Sequence, residues 1–176
     1  MSKCIFCAIA DGEADARIVA ETSEAPRASN RSSAERSSAN HSSGQSPRED
    51  GEVAETNDAI AFLDANPLAP GHTLVIPKDH HETLGDLPPE AGEAVFSLLH
   101  ELVPVIEEAV DADASTVAFN NGRAAGQEVD HVHGHIVPRF EGDGGGPIHG
   151  VVGSRPDLNE SAMDDIAARI AGRVDE

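Results

Sequence analysis

The chain has 176 residues and a formal net charge of −20, from 32 acidic and 12 basic residues. This length suits one domain, and so negative a charge argues against a nucleic-acid backbone or an anionic membrane surface as partner. Without a signal peptide or an apolar run near the ~20 residues of a spanning helix, a cytoplasmic protein is expected. The acidity is typical of a salt-rich cytoplasm, where screening shortens charge repulsion, so we expect a halophilic source.

The first part of the chain predicts a hairpin interrupted by an insertion. A short apolar segment, Cys4–Ala10, precedes a candidate strand at Arg17–Glu21. Residues 23–52 almost lack large apolar side chains, so we expect them to be disordered. Because Val-Ala-Glu-Thr occurs at both 19–22 and 53–56, removing one copy with the intervening tract joins two candidate strands through a polar turn.

The remainder alternates strand and helix patterns. Apolar residues at helical spacing predict one long helix from Pro89 to about Val110 and a terminal helix from about Asp157 to Val174. Four strands are predicted, of which the last two should pair antiparallel: Ala59–Leu63, Thr73–Pro77, Thr116–Asn120 and His131–Pro138. The predicted fold class is α+β, an antiparallel sheet with one long helix, in a single domain over residues 1–176.

Three histidines, His131, His133 and His135, alternate within the last predicted strand. Alternate side chains of a strand point the same way, so the three imidazoles should share one face, roughly 7 Å apart. Imidazole can transfer protons at neutral pH, attack an electrophile or bind a metal. His133 could therefore attack phosphorus if an acceptor orients its other nitrogen, or all three rings could bind a catalytic zinc.

Cys4 and Cys7 form a Cys-x-x-Cys pair near the start of the chain. In a reducing compartment this spacing indicates metal or redox chemistry more than a structural disulfide. Two cysteines supply half of a tetrahedral zinc site.

The order of these motifs resembles the histidine-triad (HIT) superfamily of nucleotide hydrolases and transferases, most closely its Hint-like bacterial and archaeal branch. The triad follows the family's His-φ-His-φ-His-φ-φ signature, in which φ is apolar. The matching segments, in chain order, are Cys4–Cys7, Phe62–Asp64, Gly71–His80, Asn120, Gly126–Val129 and the triad itself. The resemblance covers most of the chain outside the insertion and the last helix.

This resemblance implies covalent catalysis on a nucleotide. His133 would attack the α-phosphorus to form a nucleotidyl-histidine that water then cleaves, and His135 would contact the phosphate and assist proton transfer. The implied substrates are adenosine phosphoramidates, esters or dinucleoside polyphosphates. The implied nucleotide contacts are Asn120, Gln127 and the Glu128 backbone amide at the phosphate, Asp64 at the ribose, and Phe6, Ile9, Phe62 and Ala65 at the base. On residue type alone, Phe6, Ile9 and Phe62 could be plain core, and Asp64 and Asn120 could be turn or capping residues.

The resemblance also implies a structural zinc and a homodimer, and no organic cofactor. The zinc ligands would be Cys4, Cys7, His80 and His131, with His81 as a competitor for His80. The homodimer would form across the long helix and the adjacent strand.

Two positions depart from the family pattern. Gly134 stands where an apolar residue is usual, which should leave the far face of the strand less packed and loosen His133. Glu128 stands where a small hydroxyl residue is common, and its carboxylate would repel a phosphate unless it pointed away. These departures favour a second function, a nucleotide-sensing or protein-interaction module with vestigial turnover. A third function stays open from the triad itself, a zinc-dependent hydrolase that uses all three histidines as ligands.

Overall fold

The structure of the chain, a computed structural model, describes residues 4–22, 58–147, 150 and 156–174. It divides into two compact units, Met1–Glu141 and Gly142–Glu176. A single domain over residues 1–176 stays a prediction, and the disordered insertion predicted at 23–52 lies outside the described residues. Among the described residues, no helix has the length and apolar character needed to cross a membrane.

The first unit is built on a five-stranded sheet with the spatial order β1-β2-β3-β5-β4. All neighbouring strands are antiparallel, which confirms the predicted α+β class. The strand bounds are β1 Ile18–Glu21, β2 Ala59–Leu63, β3 Thr73–Pro77, β4 Ala114–Phe119 and β5 Gly134–Arg139.

The two strands on either side of residues 23–57 pair as the sequence predicts. β1 lies antiparallel to β2, with Ile18 opposite Phe62. Just beyond β1, the Ala59 N–H donates to the Thr22 hydroxyl at 2.7 Å, and the Thr22 N–H donates to the Ala59 carbonyl at 2.9 Å. The chain therefore leaves β1 and enters β2 at the same point, as in a hairpin.

The long helix α2, Pro89–Ala109, packs its apolar stripe on one face of the sheet. Pro89 opens the helix at a position where its missing N–H leaves no hydrogen bond unmade. The helix continues through Pro104 and ends one residue before the predicted Val110. The buried cluster joins α2 to the sheet through Ala59, Ala61, Val75, Val95, Leu98, Leu99, Leu102, Ile106 and Ile136.

The short helix α1, Ile5–Ala10, contributes to a second apolar cluster. Successive residues of β2 point to opposite sides, so Ala59 and Ala61 belong to the α2 cluster while Ile60 and Phe62 belong to this one. Its buried members are Phe6, Ile9, Ile60, Phe62, Leu74 and Ile76. The N-terminal segment thus covers the face of the sheet that α2 leaves free.

The strand predicted at His131–Pro138 begins later than expected. β5 starts at Gly134, so His131 and His133 precede the first paired residue. The physical reason is that the Val132 N–H donates to the His81 carbonyl at 2.7 Å, which draws this backbone away from the sheet ladder.

In the second unit, helix α3 runs over Glu160–Val174, three residues shorter at its start than predicted. The Asn159 side chain accepts the Ala162 N–H at 2.9 Å, which caps the first turn.

Candidate functional site

A pocket of about 490 Å³ lies on the side of the sheet that α1 covers. It combines apolar side chains of α1, β2 and β3 with polar side chains of the surrounding loops. Nine of the predicted site residues line it: Phe6, Ile9, Phe62, Asp64, Ala65, Asn120, Glu128, His133 and His135. The sequence-predicted nucleotide residues are therefore brought to one cavity, apart from Gln127.

The rings of His133 and His135 lie closer together than alternate residues of a regular strand would. The ring centroids of His133 and His135 are 5.1 Å apart, against the expected 7 Å, because His133 stands before the start of β5. The Phe6 ring contacts both His131 and His133, with centroids 5.9 and 5.2 Å away. Only His133 and His135 line the pocket; His131 is fully buried.

The orientation of His133 is fixed by the backbone. Its Nδ1–H donates to the carbonyl oxygen of His131 at 2.7 Å. A neutral imidazole carries only one proton, so Nε2 keeps a free lone pair. The sequence left open whether His135 or a backbone carbonyl orients this ring, and the carbonyl does so. The arrangement is that of a nucleophile whose far nitrogen is held by an acceptor.

His135 is oriented by a fourth histidine, His72, to which no role was assigned from the sequence. The Leu68 N–H donates to His72 Nδ1 at 3.2 Å, so the His72 proton lies on Nε2 and is donated to His135 Nδ1 at 3.0 Å. His135 must then carry its own proton on Nε2, a buried atom without a hydrogen-bond partner among the described residues. The sequence does hold a signal for this role of His72. It lies in the Gly-His-Thr segment that enters β3, and Leu74 of β3 pairs with His135.

Burial keeps this pair neutral. Burial, followed by the proximity of His133 and His72, lowers the pKa of His135 to about 4. Burial also lowers the pKa of His72, although the Asp64 carboxylate opposes the shift. Both rings are therefore neutral at physiological pH, and His135 can offer one N–H donor in the pocket.

Asp64 continues this chain of contacts. Its Oδ1 accepts the Asn66 N–H at 2.8 Å, and its Oδ2 lies 3.4 Å from His72 Nδ1. Donor atoms of Asp64, His72 and His135 lie within 4.8 Å of one another, as a metal site would require. However, the His72 ring stands between the other two and presents one nitrogen to each. His72 donates a hydrogen bond to His135, whereas its Nδ1 accepts the Leu68 N–H and only lies near the Asp64 carboxylate, so the three groups do not converge on one ion.

A second cluster brings together the four residues that the resemblance implied as zinc ligands, Cys4, Cys7, His80 and His131, with donor atoms within 4.8 Å of one another. His131 Nδ1 lies 3.6 Å from both sulfurs, and His80 Nδ1 lies 3.3 Å from Cys7 Sγ. Sulfur and nitrogen ligands of one tetrahedral zinc are about 3.5 Å apart, given Zn–S near 2.3 Å and Zn–N near 2.0 Å. The donor set therefore fits zinc.

Electrostatics and tautomers agree with a cation at this cluster. The His131 Nε2–H donates to the Pro77 carbonyl at 2.9 Å, which leaves Nδ1 free as a ligand. Burial lowers the pKa of His131 to about 4, so the ring is neutral. Burial, with Cys4 as a close neighbour, raises the pKa of the Cys7 thiol to about 11, so a thiolate here requires a nearby positive charge. Because His131 belongs to this cluster, the three triad histidines do not form a common metal site.

Gln127 braces the loop before the triad instead of lining the pocket. Its Oε1 accepts the Gly122 N–H at 2.6 Å, and its Nε2 donates to the carbonyls of Glu82 at 2.8 Å and Val129 at 2.9 Å. These contacts use both ends of the buried amide, so its direct contact with phosphate stays a prediction. Glu128, the next residue, is exposed and lines the pocket.

The loose packing expected behind Gly134 is wrong. A Cβ at this position would lie 2.6 Å from Cζ and 2.9 Å from Cε1 of Phe119, and 3.2 Å from Cδ1 of Leu99. Phe119 is the partner of Gly134 in the β4–β5 ladder, so its ring covers the peptide between the two catalytic candidates. The aromatic ring fills the space that an apolar side chain at position 134 would take.

We predict that Gly134→Ala lowers the free energy of unfolding by about 1–3 kcal/mol, because the added methyl overpacks the contact with Phe119. Urea denaturation measures the change. Gly92→Ala is the matched control, since a Cβ at this α2 glycine has no atom within 4 Å and alanine favours a helix. Adding Phe119→Leu to Gly134→Ala should restore part of the loss; similar stabilities for the two glycine variants would contradict the packing argument.

Comparison with known proteins agrees with this geometry. The model of the HIT domain family matches residues 47–142. An uncharacterized HIT-like protein of Methanocaldococcus jannaschii is 35% identical over 141 residues, covering 80% of this chain and 82% of that protein. Adenylylsulfatase HINT3 of Arabidopsis thaliana is 42% identical over 89 residues, covering 51% of this chain but only 45% of that protein.

Two solved structures share the fold. A member of the HIT family from Bacillus subtilis superposes with a TM-score of 0.68 at 28% identity, covering 98% of this chain and 97% of that one. A Zn-bound histidine triad family protein from Mycobacterium smegmatis has a TM-score of 0.56 at 28% identity, covering 98% and 96%. By motif, fold and sequence likeness, this chain belongs to the HIT family, whose members include hydrolases such as an adenylylsulfatase.

Proposed function

We propose that this chain hydrolyses or transfers nucleotidyl groups through a covalent intermediate on His133. The observation that carries the proposal is the hydrogen bond of its Nδ1–H to the His131 carbonyl, which leaves Nε2 unprotonated in a ring that lines the pocket. The substrates are nucleoside phosphoramidates, phosphoric esters or dinucleoside polyphosphates. Adenosine as the base is supported by likeness to a relative named as an adenylylsulfatase.

In the first step, the lone pair of His133 Nε2 attacks the α-phosphorus, and the bond from phosphorus to the leaving group breaks. The leaving group takes the electron pair of that bond and a proton from solvent water, while the neutral His135 donates its Nε2–H as a hydrogen bond to the reacting phosphate. In the second step, water attacks the phosphorus, the bond to His133 breaks, and the proton of the attacking water passes to solvent. His135 stays neutral throughout, and the His131 carbonyl stabilises the positive charge that His133 carries between the steps.

The pocket offers separate surfaces for the rest of a nucleotide. Its apolar wall, which includes Phe6, Ile9 and Phe62, suits a base. The carboxylate of Asp64 can accept both ribose hydroxyls, because the Asn66 N–H uses only part of its acceptor capacity. Asn120 and the Glu128 backbone are proposed to hold the phosphate, with the Glu128 carboxylate directed away.

We expect His133→Asn to reduce turnover of adenosine 5′-phosphoramidate by at least about 10³-fold while AMP binding is retained, because asparagine keeps polarity but cannot form the intermediate. Product release by chromatography and AMP titration calorimetry measure the two effects. His100→Asn, at an exposed position of α2, is the matched control. Turnover retained in His133→Asn would exclude it as nucleophile, and AMP binding without turnover in the wild type would favour the sensing module.

We also propose that Cys4, Cys7, His80 and His131 hold one structural zinc. The fit of the donor distances and the Zn-bound relative support this assignment. A set of four protein ligands leaves no open position on zinc, so the ion would cross-link the N-terminal segment to the triad rather than take part in the reaction.

Elemental analysis should find about one zinc per chain in the purified protein. His80→Ala should weaken zinc binding, because it removes one of four ligands. His81→Ala is the control: this neighbouring histidine is not part of the described cluster. Protein with far less than one zinc per chain, or equal effects of the two variants, would contradict the assignment.

Finally, we propose a homodimer formed through α2 and the edge strand β4. Phe96 on α2 is 53% exposed and contacts Phe119 of β4 with ring centroids 5.4 Å apart. Val117, two residues from Phe119 on the same strand, is 42% exposed. An apolar patch beside an open strand edge suits a second copy of the same surface.

Phe96→Glu should shift the protein to monomers in analytical ultracentrifugation, because two carboxylates would be buried against each other across a two-fold axis. Ile170→Glu replaces a similarly exposed apolar residue on α3 and should leave the mass unchanged. A wild-type protein that sediments as a monomer would refute the proposal.

A further inference from the structure

We propose that the cluster of Cys4, Cys7, His80 and His131 governs nucleotide binding and the orientation of the attacking ring, so that the two cysteines act as positioning residues for the pocket. The inference rests on the proposed function and the proposed zinc site. It goes beyond them because it makes metal and nucleotide binding interdependent.

The first link is His131, which belongs to the cysteine–histidine cluster and also contacts His133. Its Nδ1 lies 3.6 Å from each cysteine sulfur, while its carbonyl oxygen accepts the Nδ1–H of His133 at 2.7 Å. The carbonyl is the acceptor that decides which nitrogen of His133 is free. Any shift of His131 on losing the metal therefore moves the group that holds the nucleophile in its reactive tautomer.

The second link is α1, which begins directly after Cys4 and contains Cys7. Ile5 and Phe6, the residues between the cysteines, line the pocket, and the Phe6 ring packs edge-on against His133 with centroids 5.2 Å apart and an interplanar angle of 70°. The segment that would carry two zinc ligands is thus also the wall proposed to contact the base.

A six-residue helix has no stability of its own in water, so tertiary contacts must hold α1 in place. Among the described residues, Phe6 and Ile9 supply apolar burial, and the cysteines supply the polar anchors. Thiols are weak hydrogen-bond donors and acceptors, whereas two zinc–sulfur bonds would fasten the helix firmly. Without the metal, the wall would depend mainly on its apolar packing, to which Phe6 and Ile9 contribute the largest side chains.

If zinc and nucleotide both order α1, the effect of each on the affinity of the other must be reciprocal. Zinc should raise the affinity for nucleotide, and nucleotide should raise the affinity for zinc by the same factor, which we expect to be about tenfold. Such equality is a thermodynamic requirement of coupling, so it tests the proposal without any reference to turnover.

The experiment uses the full chain and AMP as the probe. Titration calorimetry compares AMP binding by zinc-loaded protein and by protein stripped with a chelator, and a competing chelator measures zinc affinity with and without saturating AMP. Tighter binding by about tenfold in both directions, restored when zinc is added back, supports the proposal. AMP affinities equal within about twofold overturn it, while intact turnover that depends on His133 would leave the proposed function standing.

A variant separates positioning from general stability. Phe6→Ala keeps all four ligands but removes the ring between metal and pocket, so zinc should still bind while the coupling factor falls towards one. His81→Ala should leave the factor unchanged. Nitrogen-15 spectra of the histidine rings add an independent readout: the proposal expects a single Nδ1–H tautomer of His133 with zinc and a mixture without it. An unchanged tautomer together with a lower melting temperature would reduce the cysteines to a purely structural role and overturn the proposal.

Discussion

The arrangement of this protein depends on three contacts made by one buried residue, His131. Its Nε2–H bonds to the carbonyl at the end of β3, its Nδ1 faces the cysteine pair, and its own carbonyl holds His133. Each contact comes from a different part of the chain, so the residue ties the N-terminal segment, the central sheet and the triad into one unit. A side chain with a single polar atom could not make these connections.

At physiological pH, neutral imidazoles give the site both hydrogen-bond donors and acceptors. Burial lowers the pKa of both His131 and His135 to about 4, so neither ring is charged and each has one donor and one acceptor nitrogen. The surrounding backbone then decides which nitrogen carries the proton: the Pro77 carbonyl does so for His131, and the Leu68 N–H does so for His135 by way of His72. The chemistry proposed for the pocket follows from this division of roles.

The packing behind the triad shows that a departure from a family pattern can be compensated within the same sheet. Gly134 lacks the side chain expected at its position, and the Phe119 ring from the neighbouring strand occupies that volume. The peptide between His133 and His135 is therefore covered as closely as an apolar residue would cover it. For this reason Gly134 gives no ground for assuming a loose site or vestigial turnover.

Sequence alone determined the elements whose signals are local. The bounds of β2 and β3 match the predicted runs, the apolar stripe of α2 was evident from its spacing, and family motifs named the residues now found around one pocket and one cysteine cluster. A halophilic source and a cytoplasmic location, both inferred from the sequence, stay predictions. Only the tertiary structure decided that β5 starts after His133, that His72 orients His135, and that Phe119 replaces a side chain at Gly134. Each of these depends on atoms brought together from distant parts of the chain, and neither periodicity nor motif spacing encodes which hydrogen bonds and contacts such residues will make.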